Sequence, residues 1–120
     1  MRLWLILAAL GGFVSVAGGA FAAHGMSDPR SQELLRTGSL YGFVHVLAVF
    51  AAAGLVQTGA PRAGIAPPLF IAGVVIFSGS LYAMAFGAPR WFGAITPIGG
   101  LAFLAGWLVL AWAALGVKPA

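Results

Sequence analysis

Eight charged positions interrupt an otherwise apolar chain: Arg2, Asp28, Arg30, Glu33, Arg36, Arg62, Arg90 and Lys118. Between them run residues 3–27, 37–61, 63–89 and 91–117, stretches of 25 or 27 residues without a charge. A helix crosses a bilayer with about 20 mostly apolar residues. The pattern therefore predicts an all-α, integral membrane four-helix bundle, with residues 1–120 forming a single transmembrane domain. The predicted helices lie near residues 3–23, 35–57, 67–87 and 96–116. A soluble bundle would carry polar outer faces, and these segments have none. Transmembrane strands would be shorter and would alternate in polarity.

The ends of the segments carry matching signals. Asp28 followed by Pro29 reads as an N-cap with a first-turn proline, and Thr96-Pro97 repeats the pattern. Pro67 and Pro68 suit the start of the third helix, and Gly-Ala-Pro at 59–61 and 87–89 marks two turns. Trp4, Trp91 and Trp112 sit near predicted ends, as interfacial aromatics do, while Trp107 lies deeper and reads as packing. Residues 29–36 either extend the second helix or form a short amphipathic helix at the interface. Arg2, an apolar run and Ala20-Phe21-Ala22 imitate a secretory signal. The run is longer than a typical signal core and rich in glycine, so a first span is expected.

Composition narrows the function classes. Apolar residues make up 62% of the chain and charged residues 7%, against about a quarter charged in soluble domains. The chain has no cysteine, which excludes disulfides, thiolate metal sites and cysteine nucleophiles. The net charge of +4 comes from six scattered basic residues, whereas nucleic-acid binding needs a cluster; no nucleic-acid partner is expected. Four spans put both termini on one side, here the terminal side, with Arg2, Arg62 and Lys118. Arg30, Arg36 and Arg90 fall on the other, the loop side, so basic residues favour neither orientation.

Small residues mark the expected helix contacts. Span one offers Gly11, Ser15, Gly19 and Ala23 at four-residue spacing, widened by Gly18 and Ala22. Gly38, Tyr41, Gly42, His45, Ala48 and Ala52 share one face of span two, with Leu40, Phe43, Val44, Leu47, Phe50 and Leu55 mostly opposite. The first set should face other helices and the second should face lipid. Span four offers Gly99, Gly100, Phe103 and Gly106. Such stripes let helix backbones approach closely in lipid.

Uncharged polar groups supply the only chemistry within the spans: His24, Tyr41, His45, Ser78, Ser80, Tyr82 and Thr96, with Ser15 and Ser39 as minor members. At about 1.5 Å per residue, Tyr41 and His45 lie roughly 9 to 15 Å inside span two from the loop side. The others fall in the same half, which predicts a polar pocket or hydrated vestibule opening toward the loop side. His45 is the principal candidate, because an ionisable residue inside a span suggests a functional site. A neutral ring would donate on one nitrogen and accept on the other, with Tyr41 and Ser78 as expected partners. The competing reading is a packing histidine. His24 beside Gly25 suits a helix end, where it can meet free carbonyls. No metal or other cofactor is expected, since the two histidines have no carboxylate at ligand spacing. Ser78 and Ser80 read as hydroxyls bonding the preceding turn.

Residues 20–25 read AFAAHG, 41–48 YGFVHVLA, 77–82 FSGSLY and 95–101 ITPIGGL. In this order, within four spans, they resemble the small YgdD-like inner-membrane proteins of bacteria, a family with small mitochondrial membrane relatives. The resemblance covers nearly the whole chain and implies four spans, an inner-membrane location and no assigned activity. Its motif positions are His24, Tyr41, His45, Ser78, Ser80, Tyr82, Thr96 and Pro97.

The expected function is non-enzymatic: an accessory or scaffold subunit that binds membrane lipid or another membrane protein, and the expected assembly is a homo-oligomer or a complex with a membrane-protein partner. The loops are too short for a soluble catalytic domain, and a lipid-acting enzyme would need an acid–base pair that the spans lack. The rival is an oligomeric transporter or channel for protons or a small solute, built on the polar residues around His45.

Overall fold

A computed structural model describes residues 1–119. Four helical segments are long and apolar enough to cross a membrane: Arg2–His24, Pro29–Gln57, Pro61–Ala85 and Arg90–Ala114, here spans one to four. They form the four-helix membrane bundle that the charge spacing predicts. The longest dimension is 51 Å, slightly more than the roughly 40–45 Å of a bilayer with its headgroups. Large apolar side chains cover the outside; Phe13 is 75% exposed and Leu108 72%. In water such a surface would aggregate. In hydrocarbon it is the solvated surface.

Span two starts at Pro29, so residues 29–36 extend it as one continuous helix. Asp28 caps the start: its carboxylate accepts from the Ser31 backbone N–H at 3.0 Å and from the Ser31 hydroxyl at 2.8 Å. Pro29 occupies the first turn, where a missing N–H costs nothing.

The two Gly-Ala-Pro turns share one device. Gly59 and Gly87 have φ of +93° and +107°, the left-handed region that glycine enters without a Cβ penalty. After span two, the Gly59 N–H bonds Val56 O at 3.2 Å and the Ala60 N–H bonds Leu55 O at 3.0 Å. After span three, Gly87 bonds Met84 O at 3.2 Å and Ala88 bonds Ala83 O at 2.9 Å. Both are Schellman closures. In each case a 3₁₀ turn follows, Pro61–Ile65 or Arg90–Ala94, and leads into the next α-helix.

Span three is not uniform. Its α-helix Ala66–Gly73 passes through a π-helical turn, Val74–Ser78, before resuming as Gly79–Ala85. The turn lies against Gly99 of span four, where a Cβ would stand 2.5 Å from the Phe77 backbone nitrogen and 2.9 Å from Gly73 O. Spans three and four thus meet backbone to backbone. Phe103 packs over Gly73, and Phe70 packs over Gly106.

Span one lies chiefly along span two. Its buried residues are Ala8, Ser15 and Ala22, seven apart, with Gly11 and Gly18 in close contact between them. The expected four-residue row is therefore corrected at its end: Ala23 is exposed, and Ala22 takes the inward place. A strict four-residue step drifts around a helix of 3.6 residues per turn, and alternating steps of three and four hold the face. Toward the terminal side the core is apolar and includes Val49, Ala52, Ala63, Phe70 and Leu110. Arg62 lies over the Trp112 ring at 4.4 Å and ties the start of span three to the end of span four.

Candidate functional site

The polar side chains of the loop-side half do not form one pocket. They pair off between different helices. Ser39 of span two and Tyr82 of span three hydrogen-bond through their hydroxyls at 2.7 Å. Gly18 of span one makes room beneath the pair, since a Cβ there would meet both oxygens at 2.7 Å. Ser78 donates to Gly38 O at 2.6 Å. It therefore reaches across to span two and does not bond its own preceding turn. Ser80 does bond that turn, donating to Phe77 O at 2.9 Å, and lies 2.6 Å from Thr96 Oγ1. Thr96 Oγ1 likewise lies 3.4 Å from Phe92 O of its own preceding turn, so the short contact between the two hydroxyls joins the spans with either as donor. Ile95 holds the N-cap position, without a side-chain cap bond. Thr96 instead joins span four to span three, which corrects the expectation of a Thr96 cap. Ser15 faces Gly42, whose Cβ would stand 2.7 Å from its hydroxyl oxygen.

His45 is buried at the meeting point of spans two, three and four. Its Nδ1 lies 2.6 Å from Tyr41 O, and the Trp107 indole Nε1–H donates to its Nε2 at 3.0 Å. The indole N–H can only donate and the carbonyl can only accept. Both bonds are satisfied together by the neutral ring with its proton on Nδ1. The ring stacks on Phe103 with centroids 3.6 Å apart and planes 7° apart; Phe70 lies 5.7 Å away. Of the expected partners, Tyr41 contributes its backbone and Ser78 bonds elsewhere. Trp107, read from the sequence as packing, is the side-chain partner. Its signal was a polar-tipped aromatic deep in a span, since a buried indole N–H seeks an acceptor.

Among the described residues, no enclosed side-chain nitrogen or oxygen lacks a hydrogen-bond partner. The expected convergence of these groups on one polar pocket is therefore corrected: Ser39 and Tyr82, Ser80 and Thr96, and His45 and Trp107 pair off, Ser78 bonds Gly38 O, and the Tyr41 hydroxyl bonds no described residue. An apolar cleft of about 710 Å³ lies between spans two and four. Tyr41, His45, Phe77, Phe103 and Trp107 are among its lining residues, and Leu40, Val44, Leu101 and Leu104 contribute as well. The exposure of Leu40, Leu101 and Leu104, each above 60%, shows that it opens sideways, toward lipid. His24 lies apart from all of this, exposed at the end of span one. No group of three or more metal-ligating side chains occurs among the described residues.

Four apolar crossings, short connections and paired internal polar groups define a small multi-pass membrane protein. The chain belongs to the family described as protein of unknown function (DUF423), which matches residues 18–100. It is 42% identical to a UPF0382 membrane protein of Haemophilus influenzae, over 96% of this chain and 95% of that one. It is 38% identical to the UPF0382 inner membrane protein YgdD of Escherichia coli K12, over 98% of this chain and 92% of YgdD. The Bacillus subtilis membrane protein YwdK is 37% identical over 96% and 98%. No solved structure matches. The resemblance read from the four motifs is thereby established, and with it a multi-pass inner-membrane location.

Proposed function

We propose that this protein is a non-enzymatic accessory component of the inner membrane that receives lipid or a membrane-protein partner in the lateral cleft between spans two and four. One observation carries the reading: most of the internal polar groups are spent on holding helices together, while the cleft of about 710 Å³ is apolar and faces the bilayer. A transporter needs polar groups free to exchange partners along a path. Here Ser78, Ser80, Thr96 and His45 each hold a defined bond to a neighbouring span.

Reconstitution into proteoliposomes tests this against the transporter reading. Vesicles with the protein should pass protons no faster than protein-free vesicles across pH 5.5 to 8. His45→Phe should lower thermal stability without altering flux. A pH-dependent proton flux that disappears in folded His45→Phe protein would overturn the proposal.

A further inference from the structure

We infer, building on the lipid-binding reading above, that the cleft is a site for one acyl chain of an ester-linked lipid, with the ester carbonyl accepting a hydrogen bond from the Tyr41 hydroxyl. Tyr41 is 43% exposed within the cleft. Its backbone carbonyl is bonded to His45, but its hydroxyl bonds no described residue. A hydroxyl in an apolar recess is costly without an acceptor; near the bilayer interface that acceptor can be water or a lipid, and a lipid seated in the cleft excludes the water and supplies its own.

Depth identifies the acceptor. After Arg36, span two carries no charge through Gln57. Those 21 residues rise about 31 Å, matching the roughly 30 Å hydrocarbon core. Tyr41 stands four residues beyond the first residue of that charge-free stretch, about 6 Å from its start. Its ring packs 4.9 Å from the Phe77 ring and 6.5 Å from the Phe103 ring, near the loop-side end of the cleft, and a glycerolipid seated there holds its ester carbonyls at the adjoining hydrocarbon–headgroup boundary. From Pro97 to Trp107 the cleft continues inward for about 15 Å, along the direction an acyl chain takes. No charged side chain lines it, so the seated part of the ligand is neutral. The volume of about 710 Å³ suits a small-molecule site, for which about 300–1,000 Å³ is usual. A second copy would need a broad contact of about 800 Å² per partner, and a concave slot between two helices does not present one.

The test uses full-length protein in detergent with Trp4, Trp91 and Trp112 replaced by phenylalanine, leaving Trp107 as the sole tryptophan. Phosphatidylcholine with brominated acyl chains is titrated in, and Trp107 quenching is followed. Expected are saturable quenching, a roughly threefold to tenfold weaker affinity for the ether-linked analogue, and a Tyr41→Phe variant that no longer distinguishes ester from ether. Should Tyr41→Phe fail to fold, the ester–ether comparison on the unaltered tyrosine reads the same bond. Saturable quenching with equal affinity for both lipids overturns the carbonyl assignment and leaves lipid binding standing. Quenching that rises without saturation overturns both. Disulfide-linked dimers of Leu101→Cys in native membranes would assign the cleft to a second copy and overturn the acyl-chain inference.

Discussion

Gly99 and Gly100 are adjacent on span four and face different surroundings. A Cβ on Gly99 would stand 2.5 Å from the Phe77 backbone nitrogen, 2.8 Å from Phe77 Cβ and 2.9 Å from Gly73 O. Two of these are backbone atoms of span three, so no change of side-chain rotamer relieves the contact. The spans must separate, or the π-helical turn must reform. A Cβ on Gly100 would meet nothing within 4 Å. Replacing glycine by alanine inside a helix is worth about 0.8–1.0 kcal/mol on its own, and this gain is common to both sites. Forcing a methyl group into a packed contact costs about 1–3 kcal/mol. The gain cancels in the difference, so Gly99→Ala should be less stable than Gly100→Ala by about 1–3 kcal/mol, and Gly100→Ala should match or exceed the unaltered protein. Reversible unfolding in mixed micelles, followed by circular dichroism, measures both. Equal stabilities, or a reversed order, would refute the backbone-to-backbone contact of spans three and four.

Two further predictions rest on single bonds. Trp107→Phe removes the donor to His45 Nε2 and should cost about 0.6–1.7 kcal/mol, the range for hydrogen bonds between membrane helices. A double-mutant cycle with His45→Phe should return most of that as coupling, and zero coupling would mean that the bond contributes nothing. At the start of span two, the Ser31 hydroxyl, and then the Ser31 backbone N–H, holds the Asp28 carboxyl below the usual carboxylate range. A lowered folded pKa gives a contribution that is present above the unfolded value of about 3.9 and is lost as pH falls through the folded one. Amide exchange at Ser31 should accelerate on acidification in the unaltered protein and stay flat with pH in Asp28→Asn, once corrected for intrinsic exchange.

The four crossings were legible because eight charges divide the chain into lengths a bilayer accepts. The inward face of span two was legible for a different reason: on a regular helix, spacing alone fixes which residues share a side. Gly38, Gly42, His45, Ala48 and Ala52 are all buried, whereas Tyr41, expected on the same inward face, is exposed. The missed features depend on relations between helices. His45 and Trp107 are 62 positions apart, and no local spacing indicates that an indole from span four meets the ring. The π-helical turn at Val74–Ser78 has no proline or charge to announce it. Thr96-Pro97 has the form of a cap, yet the Ser80 hydroxyl at 2.6 Å supplies a partner from another span. The expected single polar pocket failed on the same point. Polar residues gathered in one half of a membrane imply a pocket only if they converge, and here they pair off in different directions.

That pairing explains why the polar groups crowd one half of the bundle. Lipid tails are as apolar as leucine, so burial gives little drive for helices to associate, and the bundle relies on close approach and directional bonds. In the terminal-side half the first device dominates, with alanines in the core and Phe70 seated on Gly106. In the loop-side half the second is added. Ser39–Tyr82 and Ser78–Gly38 tie span two to span three, Ser80–Thr96 ties span three to span four, and His45–Trp107 ties span two to span four. These bonds close a triangle of helices, with span one fitted against it through Gly18 and Ser15. Tyr41 departs from this pattern: it shares the helix face of the fasteners and lines the cleft, but its hydroxyl bonds no described residue. If tyrosine were there for packing alone, phenylalanine would pack equally well without a bare hydroxyl. On the lipid-binding proposal, that hydroxyl is left to meet whatever occupies the cleft beside it.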